Sequence, residues 1–140
     1  MTAAGYGGDE EGSVLLLTLG YAVLAIALIL LCTCATDLYI AQKRLDAVAD
    51  AAALAGADGF VLAVDGDDVR AALTDAGVRE QASVVVAAMS REGVLVSATA
   101  PEGVSARVTV AADWHPPIVS VFVPDGIRLE ATGTSRTALR

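Results

Sequence analysis

No residue between Glu11 and Asp37 carries a charge. The run from Gly12 to Thr36 is 25 residues long, and Leu, Ile, Val and Ala dominate its middle. A helix crosses ~30 Å of hydrocarbon with about 20 mostly apolar residues. Residues 14–36 are therefore predicted to form a transmembrane helix, preceded by a short N-terminal segment, residues 1–13. A secretory signal would open on a positive segment and close on a small-residue cleavage site. Here no Lys or Arg precedes the run, its flank is Asp9-Glu10-Glu11, and Asp37-Leu38-Tyr39 follows it. The segment reads as a retained single-pass anchor.

The anchor leaves a small domain's worth of the 140 residues. Hydrophobic residues make up 55% of the chain but aromatics only 4%, so its core must be built from Ala and Val. A thin core of that kind is marginally stable alone, which points to support from a partner or from copies of itself. The net charge is −8 and no basic cluster is present. That excludes nucleic acid and a basic lipid-headgroup patch as partners. The two cysteines, Cys32 and Cys34, both lie in the apolar run. On a helix they point to different faces and read as small apolar residues; lipidation or an intersubunit disulfide is the other reading.

From Asp37 to Ala55 the chain has no Pro or Gly, so the helix is predicted to continue past the membrane to about Ala57. A helix over 14–57 would measure ~66 Å at 1.5 Å per residue. Leu38, Ala41, Leu45, Val48, Ala52 and Ala55 recur at heptad spacing and form a seam. Lys43, Asp46 and Asp50 fall on another face, with Lys43 and Asp46 placed to interact at i,i+3. The seam packs on the protein's own small domain, joins helices of neighbouring subunits, or does both in sequence along the helix. Inside the membrane segment Gly20, Ala22, Ala25 and Ala27 offer small faces of the kind that pack closely in lipid.

Residues 37–60 form the predicted extension, and 61–140 the small domain. Asp65-Gly66-Asp67-Asp68 is a turn. Asp67 or Asp68 is read as the N-cap of a helix from Val69 to about Ala76, ending near Gly77. Residues 78–92 carry both strand and helix signals and are assigned helix. From Gly93 the period becomes two, with Val94, Val96 and Ala98 on one face. After Pro101-Glu102-Gly103, the positions Val104, Ala106, Val108, Val110 and Ala112 alternate with polar neighbours, as do Ile127, Leu129 and Ala131. The expected fold is α+β: a long N-terminal helix, one or two further helices, and an antiparallel sheet of three to four strands.

The sequence offers little chemistry. His115 is the single histidine, and one imidazole without nearby thiols makes no zinc site. Ser135 and His115 lack a third catalytic group. Asp65, Asp67 and Asp68 resemble part of a calcium loop, but position twelve is Ala76 where that loop needs Glu. No phosphate-binding glycine motif is present. The expectation is no enzyme, no cofactor, no metal and no small-molecule substrate. Trp114, Ile118, Val121 and Phe122 form a candidate partner patch; Trp114 and Phe122 are equally candidates for the large plugs of an Ala/Val core.

The segment from Asp9 to Gly59 carries a more specific pattern: Asp-Glu-Glu-Gly-Ser-Val before the span, Asp37-Leu38-Tyr39 after it, then Gln42-Lys43-Arg44-Leu45 and Ala49-Asp50-Ala51-Ala52-Ala53-Leu54-Ala55-Gly56-Ala57. It resembles the TadE/TadG-like proteins of tight-adherence (Flp, type IVc) pilus systems, in their short actinobacterial TadG-related form. By motif the resemblance covers about a third of the chain; beyond that only the layout is similar. It implies a minor pilin or pilin-like component in the cytoplasmic membrane, N-terminus inside and strands outside, with other pilin-like or assembly subunits as partners. The chain is far too short for the large adhesion-type domain of full-length TadG proteins. Prepilin-like proteins are cut after a Gly with Glu five residues on, a spacing matched by Gly5 and Glu10.

Charge alone leaves the topology open. All nine Lys and Arg follow the span, which taken literally places the C-terminal part in the cytoplasm. The same part holds 14 of the 17 acids, and long domains translocate largely regardless of charge. The orientation expected here is therefore that of the family. Two functions are kept: a pilin-like subunit working through its long helix, or a membrane-tethered module whose Trp114–Phe122 patch meets an extracytoplasmic partner.

Overall fold

The computed structural model describes residues 8–122 and 124–136. Helix α1 runs without a break from Gly8 to Asp58. The chain divides into two compact units between Asp37 and Leu38. The first is the apolar part of α1; the second holds the rest of α1 and all remaining elements. The expected continuation of the helix past Asp37 is thus present, ending one residue beyond the predicted Ala57.

In the second unit, strand β1 (Val61–Asp65) pairs antiparallel with β2 (Asp68–Ala72). Helix α2 covers Asp75–Met89, and strands β3 (Val94–Thr99), β4 (Ser105–Trp114) and β5 (Ile127–Arg136) form an antiparallel sheet in that order. One face of the sheet carries Ala98, Ala106, Val108, Val110 and Ala131 into the core. The outer part of α1 adds Leu45, Val48, Ala49, Ala52, Ala53 and Ala57, and α2 adds Val78, Ala82 and Val86. The largest fully buried side chains are Val78, Val108 and Val110. The composition required a core of this kind. With such small side chains, contact is made by bringing backbones close: a Cβ on Gly56 of α1 would lie 2.8 Å from Val78 Cγ1 of α2.

Two expectations need correction. The helix predicted over Val69–Ala76 is absent. Residues 68–72 are strand β2, and Asp65-Gly66-Asp67-Asp68 is the tip of its hairpin. Gly66 has φ +67 while Asp67 stays at negative φ, the pattern of a two-residue II′ turn. Helix α2 starts instead at Asp75, capped by Thr74, whose Oγ1 accepts the Gly77 N–H at 3.1 Å. The second correction concerns β3. Leu95 pairs with Val110 and Ser97 with Thr109, so Val96 is the extra residue of a β-bulge. The bulge shifts the alternation: Leu95 and Ala98 face the core, and Val96 is exposed.

Candidate functional site

The first unit is a helix with no covering layer. Leu15, Leu16, Leu19, Val23, Ile26 and Ile29 are all more than half exposed, and a Cβ at Gly20 would meet nothing within 4 Å. Gly20 and Ala25 are both exposed. Among the described residues this is the one helix long and apolar enough to cross a membrane. Its threonines suit that setting. Thr18, Thr33 and Thr36 each donate to the carbonyl four residues back, of Val14, Ile29 and Cys32, at 2.8–2.9 Å. A hydroxyl satisfied within its own helix presents no unpaired donor to hydrocarbon. Cys32 and Cys34 are free thiols. Glu10 is exposed at the start of α1, and Gly5 lies outside the described residues.

The outer seam is used within the domain. Leu45, Val48 and Ala52 are buried in the core, while Leu38, Ala41 and Ala55 are half-buried. Of the two uses open to this seam, packing on the protein's own domain is the one these burials show. Lys43 and Asp46 form the expected i,i+3 pair at 3.4 Å, and Lys43 Nζ also stands 5.8 Å from the Tyr39 ring centroid.

A groove of about 500 Å³ opens between the start of the outer helix, the end of α2, the end of β4 and the start of β5. Arg44, Arg91, Glu92, Asp113, Trp114 and His115 line it over a floor of Leu45, Val48 and Leu129. Its hydroxyl, Ser90, accepts the Gly93 N–H at 2.8 Å and closes the turn between α2 and β3. Among the described residues no group of three or more His, Cys, Asp or Glu could hold a metal, and no polar or charged side chain is buried.

The predicted patch splits in two. Trp114 is half-buried at the end of β4, where it pairs with Ile127. Ile118, Val121 and Phe122 lie in the following connection and are exposed, Val121 at 85% and Phe122 at 83%. Phe122 is therefore not a plug of the core. The β1–β2 hairpin is a second exposed apolar surface, with Val61, Leu62, Val64 and Val69 each at least 59% exposed. The sequence analysis did not find it; the two-residue Gly66-Asp67 link following the apolar segment 61–64 was the available signal.

No family model matches this chain, and no curated protein or solved structure matches it either.

Proposed function

We propose that this protein is a structural, non-enzymatic, pilin-like component of a tight-adherence (Flp-type) pilus. In this reading it is a minor pilin, anchored in the cytoplasmic membrane with its N-terminus inside and its α+β domain outside. It assembles with like subunits through the apolar half of α1. The observation that carries the reading is the double use of one helix: α1 supplies an uncovered apolar span and, after Asp37, a wall of the domain's core. The motif around Ala49–Ala57 supports the choice of system.

Because Leu45, Val48 and Ala52 are committed to the domain, assembly is assigned to the membrane segment. There Gly20, Ala22, Ala25 and Ala27 allow close helix approach. The test is to replace residues 14–36 with an unrelated spanning helix in the cells that make the protein. Loss of filaments, with the protein still in the membrane fraction, is expected. Unchanged function favours the other reading, a tethered module presenting its own surface; the exposure of Val121 and Phe122 is the observation on that side. The intact mass of the native protein adds an independent readout. A chain beginning at Tyr6 supports processing after Gly5 and entry into a filament. An unprocessed chain favours an assembly factor that stays in the membrane.

A further inference from the structure

We infer that the loop between β4 and β5 seats on the lipid bilayer, inserting Val121 and Phe122 into its surface. The inference rests on reading the apolar half of α1 as a membrane anchor. Three observations within the second unit place the loop. Gln42 Nε2 donates to the Glu130 carbonyl at 3.0 Å. The backbone of Ala49 lies against Gly133. A Cβ on Gly56 would lie 3.3 Å from the Cβ of Ala106, which pairs with Ser135. The outer part of α1 and strand β5 therefore ascend in the same direction.

Going back four residues from Gln42 descends ~6 Å of helix to Leu38; going back two from Glu130 descends ~7 Å of strand to Arg128. Leu38 and the start of β5 thus share one end of the domain. The loop, which ends at Gly126, belongs to that end. Leu38 follows Asp37, the first charged residue after the span, so chain continuity brings this end of the domain to the membrane surface.

The loop's composition fits lipid. From Pro116 to Gly126 its only charged residue is Asp125, and Ile118, Val121 and Phe122 are exposed. Trp114 ends the strand that enters the loop, and Tyr39 lies exposed two residues past Asp37. Both are residue types that concentrate at membrane–water interfaces. With no Lys or Arg in the loop, apolar insertion drives the contact, and it needs no anionic lipid.

The experiment uses the full chain with Cys32→Ala and Cys34→Ala, carrying a single cysteine labelled with an environment-sensitive nitrobenzoxadiazole dye. Label sites are Phe122→Cys, Val121→Cys, Val64→Cys in the β1–β2 hairpin, and Leu24→Cys in the apolar half of α1. Each protein is reconstituted in phosphatidylcholine vesicles with and without spin-labelled lipid, and again with phosphatidylglycerol added. The expected result is blue-shifted emission, lost to spin-labelled lipid, at 121, 122 and 24 but not at 64, alike in both lipid mixtures. Quenching at 24 without quenching at 121 or 122 overturns the proposal and leaves the loop to a protein partner. Quenching at 64 as well overturns it by removing the loop's special place. A requirement for phosphatidylglycerol overturns the apolar mechanism. No quenching at 24 overturns the anchor reading, and the proposal with it.

Discussion

Gly133 of β5 lies so close to Ala49 of α1 that no Cβ fits between their backbones; an added one would also stand 2.8 Å from Asp50 N. Both sides of this contact are main chain, so neither can turn away as a flexible side chain would. Gly133→Ala must push the helix off the sheet. Overpacking of this kind costs about 1–3 kcal/mol. Trp114, the single tryptophan, reports domain unfolding in urea for the full chain in detergent, and its midpoint should fall. Thr134→Val, at an exposed neighbour that keeps its β-branched shape, should stay within about 0.5 kcal/mol of the wild type.

Ala52 and Gly20 should separate folding from assembly. Ala52 is fully buried in the domain core. Ala52→Leu should therefore lower the domain's urea midpoint, again by about 1–3 kcal/mol, whether or not other subunits are present. Gly20 has open space around it, so Gly20→Leu should leave that midpoint unchanged. If the membrane segment carries assembly, Gly20→Leu should reduce energy transfer between labelled copies in vesicles. Equal transfer for Gly20→Leu and wild type would count against that assignment.

Thr74 is the N-cap of α2, and its neighbour Asp75 accepts the Ala100 N–H at 2.7 Å, joining the helix start to the end of β3. Removing the hydroxyl in Thr74→Ala should cost about 1 kcal/mol, and Thr74→Ser should recover most of it. The same urea titration measures both.

The β1–β2 hairpin should be the first part of the folded domain to open. None of its residues is buried, and an isolated two-stranded hairpin is at best marginally stable in water. Hydrogen exchange followed by mass spectrometry should show residues 61–72 exchanging well before β4, which is paired on both sides. Protection of the hairpin equal to that of β4 in the isolated protein would contradict this ordering. Protection gained only in the assembled state would mark the hairpin as a subunit contact.

Periodicity located the sheet well. The alternation from Ala106 to Val110 and from Leu129 to Ala131 needed only local sequence, because each strand buries one face there; Val104, just before β4, and Ile127, at the start of β5, are exposed. It failed at Val96, where a bulge breaks the phase, and a bulge depends on how the partner strand pairs. It failed again at Val69. There Asp67-Asp68 and Gly77 resemble helix caps, but the intervening segment is too short to support a helix by itself, and cross-strand pairing with Val61–Asp65 prevailed. The candidate site was legible in its residues but not in their roles. Trp114 and Phe122 were equivalent large side chains in the sequence, and only the fold separates a half-buried strand end from an exposed loop.

The sequence by itself determined the long helix, its charge-free half and its Ala-rich half. These follow from local composition: hydrocarbon excludes charge over a fixed length, and an unbroken stretch of helix formers has no reason to stop at Asp37. The use of the Ala-rich face was decided by tertiary structure. A small-residue seam suits a neighbouring helix or a sheet equally well, since both gain by close backbone approach. The choice went to the protein's own domain because Gly133 in β5 meets the backbone of α1, and Gly56 in α1 meets Val78 of α2 and Ala106 of β4. That complementarity joins Ala49 to Gly133 and Gly56 to Ala106, pairs far apart in the chain and beyond the reach of any local pattern.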